Sequence, residues 1–249
     1  MDLEGRCRKG IRRYSKLAIA LALTAASFGI YSFIQRQAAK PTYSYVQPTV
    51  YFRDGTSIKS KKVQDYIAEL EKVPDQLQEI VNSQDGKVIF FNGPLSNQPE
   101  FKNSKGPDQP WKKIKNVFDV TNAAFDQKTR SIFLGVEGKY HNQKPDDALD
   151  EVAHLIDFYA GAELFGMPLS ETAEFLNIYE KDKPNLSDYE KVGLKCIAMK
   201  EYFANTFRMF YQSEESRRKL EKEFPERYKW FEDVERRIIR KQFSLIRGF

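Results

Sequence analysis

Four residues in the stretch ALDEVAHLIDFYAG (148–161) have the types and spacing for metal chemistry: Asp150, Glu151, His154 and Asp157. A metal-binding helix needs two ligands at i and i+4, one turn apart on one face. It also needs a neighbouring carboxylate that takes a proton from metal-bound water. His154 and Glu151 supply the second ligand and the carboxylate, and Asp150 stands where the first ligand, a histidine, would be expected. The same residues also describe the solvated polar face of an ordinary core-packed helix, so three fixed positions leave both uses open.

The surrounding residues define that helix. Pro145-Asp146-Asp147 predicts its start, with an acidic cap and an acidic first turn. Leu149, Val152, Ala153, Ile156 and Tyr159 share one arc and face a core. Asp150, His154 and Asp157 lie within about 60° of one another on a second arc, with Glu151 toward its edge.

The rest of the body reads as α+β. Val63, Tyr66, Ile67 and Leu70 recur at helical spacing until Pro74, and Leu77, Ile80 and Val81 continue in a second short helix. GKVIFFNG and TRSIFLGVEG read as strands, and the chain beyond them is mostly helical. Helices with a few strands that do not alternate regularly point to a mostly helical α+β domain with a small sheet.

Charge divides the chain. Residues 1–40 hold eight basic and two acidic side chains, whereas 41–249 hold 32 and 33, so the body has no global electrostatic footprint for nucleic acid. The basic residues of segment 1–16 precede an uncharged run at 17–34, long enough as a helix, about 27 Å, to cross a hydrocarbon core. This pattern keeps the N-terminus in the cytoplasm and exports the body as an anchored surface domain. A cleaved signal, with small residues at Ala25 and Ala26, and a secreted body is the alternative. Residues 35–61 read as an extended tether with a short strand at 49–52, and 62–249 as the folded domain. Cys7 and Cys196 fall on opposite sides of such an anchor, so no intramolecular disulfide is expected.

Three segments together resemble a known family. DEVAHLIDFYAG is similar to the active-site helix of the anthrax lethal factor C-terminal-like zincin metallopeptidases, which include clostridial proline-directed endopeptidases. YIAELEKVPDQLQEIVNSQDGKVIFFNGPLS resembles that family's opening helix pair and first strand, and KEYFANTFRMFYQS its third-ligand helix. The resemblance covers roughly 62–235 and implies a zincin-like fold, a zinc cofactor and a peptide or protein ligand, with proline-containing peptides among the candidates. Position by position it implies Glu151 as general base and Asp150, His154 and Glu201 at the ligand positions. Asp157 would orient the His154 ring from behind.

Three departures at these positions bear on the chemistry. Asp150 replaces the leading histidine, and a His-Asp-Glu set places two negative charges on the metal, making bound water less acidic. Asn205 stands in place of the family's second glutamate on the third-ligand helix. Leu194 occupies the position of the family's oxyanion tyrosine, and the oxyanion candidate that remains, Tyr189 in a stretch resembling the family's tyrosine segment, lies twelve residues before Glu201. A helix starting at a Ser187/Glu190 capping box would carry Tyr189 about 18 Å from Glu201 unless it breaks near Gly193. His141 reads either as a surface residue or as a replacement ligand. The expectation is a degenerate zinc site, with zinc lost or weakly held, in a non-catalytic peptide- or protein-binding module. An active endopeptidase using the Asp150, His154 and Glu201 set is the alternative.

Overall fold

The computed structural model describes residues 50–102, 104, 117–137, 144–186, 191 and 195–247. The basic terminus, the apolar run at 17–34, most of the tether, His141 and Tyr189 lie outside the described residues. Among the described residues, no helix is long and apolar enough to cross a membrane.

The described residues form a four-stranded mixed sheet and seven helices. The strands are β1 (Val50–Phe52), β2 (Lys87–Asn92), β3 (Ala123–Asp126) and β4 (Ser131–Glu137), in the order β1-β2-β4-β3. β1 and β4 run parallel to β2, and β3 runs antiparallel to β4. The helices are α1 (Lys61–Leu70), α2 (Asp75–Ser83), α3 (Asp147–Phe165), α4 (Ala173–Asp182), α5 (Lys195–Tyr211), α6 (Glu214–Glu223) and α7 (Pro225–Arg247).

β2 and β4 are apolar along their lengths because both sheet faces are covered. Val88, Phe90, Ile132 and Leu134 join the main core with the helices, whereas Ile89, Phe91 and Phe133 pack with Leu95 and Phe101 on the other face. The short strand expected inside the tether is β1, whose Tyr51 and Phe52 pair in register with Ile89 and Phe90. The sheet therefore begins at Val50, ahead of the expected domain start at 62. β3 carries no strong strand signal, since it is short and only half-buried, and its antiparallel pairing with β4 creates it.

α3 is the central element, packed against α5, α1, α2, β3 and β4. Two glycines fix how it ends. A Cβ on Gly161 would meet Leu169 N at 2.4 Å and Met167 O at 2.5 Å, so only glycine lets the helix lie on the turn that follows. Gly166 ends the helix in the left-handed region at φ 71°. The expected acidic cap is corrected: Asp146 occupies the N-cap without a side-chain cap bond, and its carboxylate instead meets Arg208 of α5 and Gln212 just beyond it.

α4, α5 and α7 enclose an aromatic cluster. Phe175 lies tilted against Trp230 at 4.4 Å between ring centroids, and Phe203 and Phe207 meet Phe231. Arg227 is fully buried there, its guanidinium 3.9 Å from the Tyr202 ring centroid and its Nε donating to Thr206 Oγ1. This packing seats α5 on α4 and α7, and α5 in turn packs along α3.

Candidate functional site

α3 and α5 run antiparallel and face each other with complementary polar stripes. On α5, Glu201, Asn205 and Arg208 are spaced i, i+4, i+7 and share one face. On α3 the matching positions are His154, Asp150 and, at the N-cap, Asp146. His154 Nε2 lies 3.8 Å from Glu201 Oε1. One turn away, Arg208 Nη1 lies 3.3 Å from Asp150 Oδ2 and 3.7 Å from Asp146 Oδ2. Arg208 Nη2 donates to Asn205 Oδ1 at 3.0 Å, and Gln212 Nε2 donates to Asp146 Oδ2 at 2.9 Å. The structure therefore brings His154 and Glu201 together and draws Asp150 toward Arg208.

The carboxylates are crowded and poorly hydrated. Burial pushes the Asp150 carboxyl up to about 7, against the guanidinium of Arg208, which lowers it. Burial also raises Glu151 well above the usual carboxylate range, reinforced by Glu201, Asp150 and Asp147. Burial lowers His154, favouring the neutral imidazole, while Glu201 opposes the shift. Asp150 Oδ1 is buried without a hydrogen-bond partner.

The edge strand β3 borders this cluster. Gly135 N donates to Asn122 O at 2.7 Å, and the antiparallel alternation then turns the backbone groups of Ala123 and Phe125 away from β4. The Phe125 backbone N–H reaches the Glu151 carboxylate. Glu151 thus sits between the helix and the outer edge of a strand.

Asp157 departs from its expected role. Its two oxygens accept from Ser170 N at 2.6 Å and Ser170 Oγ at 2.7 Å, and neither bond involves the His154 ring. The side chain points to the turn that crosses Gly161, so it ties α3 to the Leu169–Glu171 turn. Those bonds lower its pKa, but burial wins and raises it to about 6.

Sequence reasoning missed Arg208, although its place on the stripe with Glu201 and Asn205 was legible from spacing. Gln212 and Asp146, which extend the same ladder, were also missed.

The residues as arranged do not fit a zinc ion. Ligand atoms at ~2.0–2.1 Å from a tetrahedral ion lie ~3.3 Å apart, so the His154–Glu201 pair is close to that spacing. The third position is different, because Asp150 is held beside a guanidinium and a dication there would sit next to a fixed positive charge. Among the described residues no group of three His, Cys, Asp or Glu side chains converges on one metal position.

The α3–α5 pair, the mixed sheet and the bordering edge strand belong with one match. Residues 41–234 match the family described as "Anthrax toxin lethal factor, N- and C-terminal domain". The chain belongs to that family. It is similar to the Pro-Pro endopeptidase of Paenibacillus alvei, at 25% identity over 164 residues, 65% of this chain and 71% of that protein. The solved structure of the Pro-Pro endopeptidase PPEP-2 from Paenibacillus alvei superposes with a TM-score of 0.57 at 20% identity, over 74% of this chain and 96% of that one. The likeness to PPEP-2 shows the fold: a mostly helical, zincin-like domain with a small mixed sheet. This lethal-factor-family domain thus pairs Asp150 of α3 with an arginine of α5.

Proposed function

We propose that the domain is a non-catalytic peptide- or protein-binding module built on a degenerate zincin cleft. In this reading it faces outside the cytoplasm and is held at the membrane by residues 17–34. The observation that carries the proposal is the Asp150–Arg208 contact, with Arg208 also bonded to Asn205. All three side chains belong to one bonded ladder, so the two substitutions at family positions are compensated by a fixed cation and are not independent losses. A cation at the helix seam balances carboxylate charge without polarising a peptide carbonyl or activating water.

Peptide binding remains supported by the outer edge of β3, where Ala123 turns its backbone groups away from β4 in the geometry of strand addition. The relation to a Pro-Pro endopeptidase makes a peptide containing consecutive prolines the first ligand to try. A second reading, a zinc endopeptidase with Asp150, His154 and Glu201 as ligands and Glu151 as base, is favoured by the partnerless buried Asp150 Oδ1. It requires Arg208 to swing off Asp150.

One experiment separates the two. The purified chain is loaded with zinc, dialysed against a mild chelator, and assayed for metal content, for binding of a fluorescent peptide with a central Pro-Pro pair, and for its cleavage. The binding-module reading expects substoichiometric zinc and an intact peptide whose binding is unchanged by the chelator. Stoichiometric zinc with chelator-sensitive cleavage would establish the enzyme instead.

A further inference from the structure

We infer that the β1 edge of the domain is a membrane-contact surface that rests on an anionic lipid headgroup layer. The inference builds on the reading of residues 17–34 as a membrane anchor. Tyr51 is 48% exposed, Phe52 41% and Ile58 43%, three of the five exposed large apolar side chains among the described residues. Successive strand residues point to opposite faces, so the edge carries an aromatic ring on each side. Phe52 stacks on Phe90 at 5.7 Å on the helix-bearing face. Tyr51 lies on the other face, with the Lys87 ammonium 6.0 Å from its ring centroid.

Among the described residues β1 pairs only with β2, so this aromatic blade is an edge, and exposed apolar edges are ordinarily covered. Local charge identifies what covers this one. Residues 35–62 carry six basic side chains (Arg36, Lys40, Arg53, Lys59, Lys61 and Lys62) and one acidic, Asp54. Beyond it, 63–249 carries 28 basic against 32 acidic, so on the C-terminal side of the apolar run the positive excess is confined to the segment that includes β1. Arg53 is taken by Glu100 at 2.9 Å, whereas Lys59 and Lys61 are exposed. Aromatic and aliphatic side chains interleaved with lysines suit the boundary of an anionic bilayer, where rings enter the headgroup layer and ammonium groups meet phosphates.

Chain length agrees. Only residues 35–49 separate the apolar run from β1, a reach of at most ~50 Å, so β1 is the described element nearest the membrane along the chain.

The test uses the full chain with Cys7 and Cys196 changed to serine. Single cysteines are introduced by Tyr51→Cys, Phe52→Cys, Ile58→Cys and, on α4 in the helical half, Lys181→Cys, and each is labelled with a fluorophore. Each protein is reconstituted into vesicles of phosphatidylcholine with about one-third phosphatidylglycerol, carrying headgroup nitroxide lipids. Quenching at 51, 52 and 58 should exceed that at 181 at least ~3-fold, and fall toward the level at 181 in Lys59→Glu/Lys61→Glu or without phosphatidylglycerol. Equal quenching at all four sites, with the chain still floating with the vesicles, overturns the surface and leaves the anchor standing. If alkaline carbonate strips the chain from the vesicles, the anchor reading fails. Quenching at 51, 52 and 58 before stripping would still uphold the surface, and its absence would overturn it. Disulfide cross-linking of two copies through position 51 without lipid quenching would assign the edge to a second copy and overturn the inference.

Discussion

Arg208→Met removes the guanidinium and keeps the side-chain volume, so it tests whether Arg208 neutralises Asp150 or merely fills space. Asp150 titrates at about 7 with the guanidinium present, and its side chain is 25% exposed. At pH 8 it is about nine-tenths ionised, and loss of Arg208 drives its pKa higher. The variant escapes by binding a proton, so the loss is capped at ~1.4 kcal/mol for each pH unit above 7. At pH 5 the carboxyl is protonated with or without Arg208, and this contribution vanishes. The hydrogen bond to Asn205 is lost at every pH, at about 1 kcal/mol. Urea unfolding followed by fluorescence, with Trp230 as the buried reporter, should show destabilisation of ~1 kcal/mol at pH 5 and ~2.5 kcal/mol at pH 8. The same substitution in an Asp150→Asn background should lose that pH dependence. An equal loss at pH 5 and pH 8 in the parent background would refute the electrostatic role and leave only packing.

Three further outcomes follow from the same geometry. The parent protein should lose at least ~4 kcal/mol between pH 5 and pH 8, because Asp157 at about 6 and Asp150 at about 7 have folded pKa values above their unfolded ones, and Glu151, also raised, adds to the loss. Such groups favour folding below the unfolded value and lose that contribution as pH climbs through the folded one, so a flat urea midpoint over this range would contradict their burial. Gly161→Ala should destabilise by at least ~2 kcal/mol, since its Cβ meets backbone and not a movable side chain, and thermal unfolding reads it directly. Asp150→His/Arg208→Leu should raise zinc affinity well above that of Asp150→His alone, because the single change leaves a cation beside the new ligand; equal affinities by zinc titration would show that Arg208 does not guard the site.

Much of the fold was legible because burial on one side leaves a period in the sequence. Val63, Tyr66, Ile67 and Leu70 are all buried on α1, as their spacing implies. β2 and β4 were readable as short apolar runs because both faces are covered. β3 was not, since AAFD has no alternation and becomes a strand only through its pairing with β4. At the site, the positions of His154 and Glu201 followed from family resemblance, and the structure sets them 3.8 Å apart.

The sequence by itself determined which side chains stand on the α3 and α5 stripes, because helical period is a local property. It also placed Asp150 and His154 four residues apart on one helix, and Glu201 and Asn205 four apart on another. Only the tertiary structure decided what those residues meet. The antiparallel packing of α3 on α5 carries Arg208 to Asp150 from 58 positions away, and the close turn at Gly161 carries Ser170 to Asp157. A carboxylate's partner depends on which donor reaches it first in space. That distance is fixed by helix crossing and core packing, which no single stretch of sequence records.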